Sequence, residues 1–125
     1  MGDVKQGNDQ RGGGPPSADD VADAMFHALA DRTRRDILSR VLAGEHSISA
    51  LAGSYDMSFA AVQKHVAVLE RSGLLVKRRS GREQLANGDV EAVRSVRSML
   101  LDLEDIWRGR VARIDELITT PVDAT

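Results

Sequence analysis

The feature that most constrains the fold of this chain is the stretch SFAAVQKHVAVLERSGLL, residues 58–75. Ser58 is placed to cap the start of a helix, and Gly73 is placed to end it. At 100° per residue, four apolar side chains between them fall on one side of the helix: Phe59, Val62, Val66 and Leu69. The stretch therefore predicts a helix over residues 58–72 that buries this side, with Phe59 in the core.

The opposite side of the same helix carries small and polar residues. They are Ala60, Lys64, Ala67 and Arg71, with Gln63 at the boundary between the two sides. His65 lies toward the edge of the core, where it either packs or binds a phosphate. In an isolated segment, Gln63 and Lys64 would be interpreted as solvated residues of an exposed helix face. Whether they instead contact a partner is indicated by the elements before and after this helix.

Two helices are predicted before this one. Ser17 can cap the first, and Asp20 is three residues on, where it can return a hydrogen bond to the cap. The second, within ADRTRRDILSRVLAG, is capped by Asp31 or Thr33. Gly44 is expected to end it in the usual C′ position.

Short elements complete the pattern. HSI, residues 46–48, is typical of a strand stub, and Ser49 is placed to cap a brief helix. After the helix at 58–72, residues 75–86 predict a β-hairpin with its turn at Ser80-Gly81. The order indicates a mainly α fold with a small β-hairpin, a winged helix-turn-helix over residues 17–118.

In a helix-turn-helix, the start of the second helix meets base edges in the DNA major groove. Gln63 can pair two ways with adenine, and Lys64 can reach guanine or phosphate. The whole chain has a net charge of −2, but residues 58–84 hold six basic against two acidic residues, a local +4 that attracts a polyanion. The predicted DNA contacts are Arg34, Ser58, Ala60, Gln63, Lys64, His65, Arg71, Arg78, Arg79 and Arg82. Arg34 has an internal ion pair as its alternative.

A long helix is predicted from about residue 89 to 118. Its apolar residues recur with spacings of three and four, and those expected to form a dimer interface are Val96, Leu100, Leu103, Trp107, Val111 and Ile114. No other segment is long enough to cover this stripe within one small domain, so a second copy of the helix is the expected partner. A ligand cavity between helices is the alternative.

Three stretches, ALADRTRRDIL, MSFAAVQKHVAVLERSGLL and KRRSGREQ, resemble the ArsR-type winged helix-turn-helix transcriptional regulators over residues 20–118. The resemblance implies a homodimer built on the first and last helices, and it adds Val21 and Met25 to the dimer interface. It also implies a palindromic operator on double-stranded DNA and repression of transcription. Regulation of its own gene is a separate expectation for a repressor of this kind. Arg32 replaces a proline that is common in the family, which should change little because proline there is only a preference.

Metal sensing of the family's known kinds is not expected. The chain has no cysteine and no histidine beyond His65, so neither a cysteine pair nor an Asp/His cluster on the last helix can form. No cofactor is predicted, and the chain has no motif for catalysis. A small-molecule inducer is compatible with the sequence but has no identified site.

The remaining expectations concern the ends and the setting of the chain. Residues 1–16, which hold five glycines and two prolines, are expected to be a disordered tail, and residues 119–125 a second tail. No signal peptide or membrane-spanning run is found, so a cytoplasmic protein is expected. The competing function is a winged-helix module that binds another protein, for which a basic wing is unnecessary.

Overall fold

The computed structural model describes residues 14–119. The chain divides into two compact units, the first ending at Ala92 and the second beginning at Val93. The helices are α1 (Ala18–Leu29), α2 (Arg32–Ala43), α3 (Ile48–Gly53), α4 (Phe59–Arg71) and α5 (Val90–Thr119). The strands are β1 (His46–Ser47), β2 (Leu75–Ser80) and β3 (Glu83–Gly88).

Each of the first four helices begins at a side-chain oxygen that accepts an early backbone N–H of the helix. The caps are Ser17, Asp31, Ser47 and Ser58. The capping box between Ser17 and Asp20 is present as predicted. Ser49 was the wrong cap for α3: Ser47 ends β1 in the extended conformation that an N-cap requires, and its hydroxyl accepts from the N–H of Ala50 at 3.0 Å.

The two glycines expected to end helices behave differently. Gly73 follows α4 with a φ of 85°, the left-handed conformation that glycine adopts without a steric penalty. Gly44 is the C-cap of α2, and its φ of 177° is extended backbone. Gly44 thus ends α2 as predicted, but as its C-cap rather than at the C′ position.

The wing is part of a three-stranded antiparallel sheet with the order β1-β3-β2. Ser80 pairs with Glu83, so the two turn residues are Gly81 and Arg82 rather than Ser80 and Gly81. Gly81 has a φ of 62°, which suits glycine at the first central position of a hairpin turn. This register places Arg82 at the tip of the wing.

The core of the first unit is aliphatic. Its fully buried larger side chains are Ile37, Val41, Leu51, Val62, Val66, Leu69, Leu74 and Leu75. They come from α2, α3, α4 and β2, with Leu74 directly before β2, so the buried side of α4 faces the other elements as predicted. Phe59 is the exception, because 48% of its surface is exposed.

Helix α5 is a continuous helix of 30 residues, and in the described part of the chain the second unit consists of this helix from Val93 onward. Most of its predicted apolar stripe is exposed, including Leu103 at 63% and Trp107 at 57%. Among the described helices, none combines the length and apolar character that crossing a membrane requires.

Candidate nucleic-acid interface

Helix α4 presents two contrasting sides. Val62 and Val66 are 0% and 1% exposed, whereas Gln63 and Lys64 between them are exposed. Ser58 is also exposed, but its hydroxyl accepts the N–H of Ala61 at 3.0 Å and so serves as the cap. The second turn of α4 therefore presents polar side chains to solvent while the buried side fixes the helix to the core.

The turn before α4 is tied to α2 by a tyrosine. Tyr55 Oη donates to Asp36 Oδ2 at 2.5 Å, and Arg40 Nε donates to the same oxygen at 2.9 Å. The Arg40 guanidinium also lies 5.3 Å from the centre of the Tyr55 ring. Burial, and then the bond to Asp36, raise the pKa of Tyr55 to about 12, so the phenol keeps its proton at neutral pH.

The basic side chains of the wing differ in what they contact within the chain. Lys77 Nζ lies 3.2 Å from Glu70 on α4, which links the wing to that helix. Arg79 Nε donates to the carbonyl of Gly81 at 3.3 Å. Within residues 14–119, no carboxylate lies at ion-pair distance from Arg82, which projects from the tip of the wing.

Arg78 is used inside the protein. Its Nε and Nη2 each donate to the carboxylate of Glu45 at 2.9 Å, and Asn87 Nδ2 donates to the same carboxylate at 2.7 Å. The bond from Arg78 is the main cause that lowers the pKa of Glu45. Within the chain, the Arg78 guanidinium holds the base of the wing to the segment before β1, and its contact with DNA stays a prediction.

Arg34 and His65 also turn inward. Arg34 Nε and Nη2 donate to the carbonyls of Ala28 and His27 at 2.8 and 2.9 Å, so this side chain satisfies the end of α1. His65 Nδ1 lies 3.8 Å from Asp31, the cap of α2. The DNA contacts of both residues stay predictions, and within the chain Arg34 donates to backbone carbonyls rather than to a carboxylate as in the alternative ion pair.

A groove of about 290 Å³ separates the wing from the start of α4. We call it the wing groove; its lining includes Phe59 and Gln63 from α4, Lys77 and Arg82 from the wing, and Ser49 from α3. Of the predicted DNA contacts, Gln63 and Arg82 are thus brought to the same groove. Ala60, Lys64 and Arg71 are exposed on α4 outside its lining.

Phe59 is a groove residue that the sequence pattern assigned to the core. Helical periodicity placed it on the buried side of α4, but it is the first residue of the helix. The signal that identifies it is this position next to the cap, because the residue beside a helix end has fewer covering neighbours than the same side one turn later.

Two predicted dimer residues have little surface to offer a partner. Met25 and Val96 are buried, at 6% and 8% exposure, and their place in a dimer interface stays a prediction. Val21 on α1 is 38% exposed, and Leu100, Leu103, Trp107, Val111 and Ile114 on α5 are exposed as well.

In the described part of the chain, no three histidine, cysteine or carboxylate side chains converge to hold a metal ion.

Comparison with known proteins identifies the family. The chain matches no protein-family profile. It is 30% identical over 103 residues to the HTH-type transcriptional regulator Rv2034 of Mycobacterium tuberculosis, a match that covers 82% of this chain and 94% of that protein. A crystal structure of an ArsR family transcriptional regulator is 30% identical with a TM-score of 0.69, covering 74% of this chain and 95% of the other.

A third match has the same fold at lower identity. It is the solution structure of the homodimeric winged helix-turn-helix DNA-binding domain of Mb0332 from Mycobacterium bovis, a possible ArsR-family regulator. It is 22% identical with a TM-score of 0.57 and covers 72% of this chain and 84% of the other. With a capped α4, a hairpin wing and these relatives, the chain belongs to the ArsR family of winged helix-turn-helix transcriptional regulators.

Proposed function

We propose that this protein is a sequence-specific, dimeric repressor that reads the DNA major groove with α4 and uses β2 and β3 as its wing. The observation that carries this proposal is the shared position of Gln63 and Arg82. The first is exposed on the helix that would enter the major groove, and the second projects from the tip of the wing, with the wing groove between them.

Base recognition and phosphate binding are assigned to different residues of the interface. Gln63 can donate to and accept from the major-groove edge of adenine, which distinguishes that base pair from the other three. Lys64, Arg71, Arg79 and Arg82 contribute charge near phosphates, which gives affinity and orientation without reading the sequence. Lys77 is already paired with Glu70, so it adds less to the field that attracts DNA.

The exposed stripe of α5 supports a homodimer. Leu100, Leu103 and Trp107 are 53%, 63% and 57% exposed, and large exposed apolar patches mark interaction surfaces. The homodimeric relative from Mycobacterium bovis supports the same assembly. A twofold dimer would bind a palindromic operator, with half-sites separated by about 34–36 Å, one turn of DNA.

The direct experiment is titration of the protein into labelled DNA from upstream of its own gene, with a scrambled duplex as control, at two salt concentrations. The proposal predicts tight binding to the first duplex only, falling steeply with salt because each neutralised phosphate releases counterions. Gln63→Ala should cost about 1–3 kcal/mol at one base position and relax the preference there. Lys64→Ala should weaken binding about equally on all sequences.

Repression and autoregulation are tested by a reporter gene placed behind the same DNA. Expression should fall when the protein is present and recover with Gln63→Ala. Equal, weak binding to both duplexes would instead support the alternative of a winged-helix module that meets another protein. A small-molecule inducer, if one acts, would release the bound DNA, so candidate ligands can be screened in the same titration.

A further inference from the structure

The first turn of α4 combines an exposed phenylalanine with a lack of free polar side chains. Ser58 uses its hydroxyl to cap the helix, and the residues after Phe59 are alanines at 60 and 61. Phe59 is therefore the one large exposed side chain in this turn: 48% of its surface is exposed, and it lines the wing groove beside Gln63. Whatever this turn meets must offer it an apolar surface.

Resting on the proposed function, we infer that Phe59 is a specificity-determining residue that contacts the 5-methyl group of a thymine in the operator. The major groove is lined by hydrogen-bonding groups, and the thymine methyl is the apolar group exposed there. A phenylalanine ring cannot donate to or accept from base edges, so the methyl is the group whose burial it favours.

The location of this thymine relative to the base pair read by Gln63 is also constrained. Phe59 and Gln63 are four residues apart, so they are neighbours on the helix surface, about 6 Å apart along its axis. Successive base pairs are about 3.4 Å apart. The thymine is therefore expected within about two base pairs of the position at which Gln63→Ala relaxes the preference.

The test replaces each thymine of the operator by uracil, which removes the methyl group and keeps the base pairing. The operator is first obtained by selecting random duplexes with the wild-type protein. At one thymine in each half-site, uracil should raise Kd about fourfold, the factor that corresponds to burial of one carbon group. Phe59→Ala and Phe59→Gln should bind the thymine and uracil duplexes equally well.

Phe26→Ala is the matched control. Phe26 is the other phenylalanine of the chain and is 40% exposed on α1, so its loss removes a comparable side chain outside the wing groove. This variant should keep the fourfold ratio even if its overall affinity changes, because the ratio cancels effects on folding and dimerisation.

The possible failures are distinct. If selection enriches no sequence, the proposed function fails and this inference fails with it. If a clear operator emerges but no thymine is sensitive to uracil, or if the sensitivity persists in both Phe59 variants, the role of Phe59 is overturned while sequence-specific binding stands.

Discussion

The guanidinium of Arg78 and the carboxylate of Glu45 face each other in a two-bonded ion pair, with both nitrogen–oxygen distances at 2.9 Å. Asn87 on the neighbouring strand donates to the same carboxylate. The contact joins strands β2 and β3 of the wing to the residue that precedes β1. Arg78 thereby supports the position of the wing, and Arg82 is left as the cation at its tip.

Arg82 and Arg78 should consequently differ in the salt dependence of DNA binding. Arg82→Ala should lower the slope of log affinity against log salt by about 1, because one phosphate contact is lost. Arg78→Gln should leave the slope unchanged, since its charge is already matched by Glu45. Titrations at several salt concentrations measure both slopes. An equal fall in the two variants would mean that Arg78 leaves Glu45 when DNA binds.

Tyr55 should make the stability of the protein fall between about pH 10 and pH 12. Its pKa is raised from 10.0 to about 12 in the folded state, so the folded protein holds a proton that the unfolded chain has lost. Stability from this group is complete below pH 10 and disappears as pH rises through 12. Urea unfolding at successive pH values measures the fall, which Tyr55→Phe should reduce.

The titration of Tyr55 can also be followed directly. It is the only tyrosine in the sequence, so the absorbance of tyrosinate reports this side chain alone. The folded protein should titrate near pH 12 and the urea-unfolded protein near pH 10. Asp36→Asn, which removes the charged acceptor, should bring the folded midpoint closer to 10. A folded midpoint already at 10 would contradict the hydrogen bond from Tyr55 to Asp36.

Substitutions at Leu103 and Leu101 should show which side of α5 forms the dimer interface. They are two residues apart, so they point about 200° apart around the helix, and both are exposed, at 63% and 40%. Leu103→Asp should shift the protein toward monomer, since each leucine removed from an apolar interface costs about 1.5–3 kcal/mol. Leu101→Asp should remain dimeric. Sedimentation at several protein concentrations distinguishes the two outcomes.

Asp31 should matter for the stability of α2 and only weakly for DNA. The N–H of Arg34 donates to its carboxylate at 3.0 Å and is the main cause that lowers its pKa below 3.8. Asp31→Ala should cost about 0.5–2 kcal/mol of unfolding free energy, whereas Asp31→Asn should keep most of the cap. Urea unfolding of the three proteins at neutral pH measures these differences.

The pH dependence of this cap has a definite sign. Because the folded pKa of Asp31 is depressed, its contribution is present above pH 3.8 and is lost as pH falls through the folded value. Asp31→Asn has no charge to lose, so its stability should fall less in this acid range. A parallel fall in the two proteins would show that other groups dominate acid unfolding.

Much of the fold was predictable because it depends on residues close together in the chain. Ser58 caps α4 through an N–H three residues on, and Gly73 ends the helix through its own backbone freedom. The long helix and the wing follow from the same kind of local pattern. The cap of α3 was wrongly assigned to Ser49 because the local sequence offers a serine at both 47 and 49. The pairing of β1 with β3, which are distant in the sequence, gives Ser47 the extended backbone of an N-cap.

The sequence by itself thus determined the order of elements, the polar residues in the second turn of α4 and the apolar stripe of α5. Only the tertiary structure decided which basic side chains have partners within the chain. Arg78 meets Glu45 across 33 residues, and Arg34 reaches carbonyls at the end of another helix. Helical periodicity likewise predicts on which side of α4 Phe59 lies, but it does not predict how deeply the side chain is buried. Burial depends on which other parts of the folded chain cover that side.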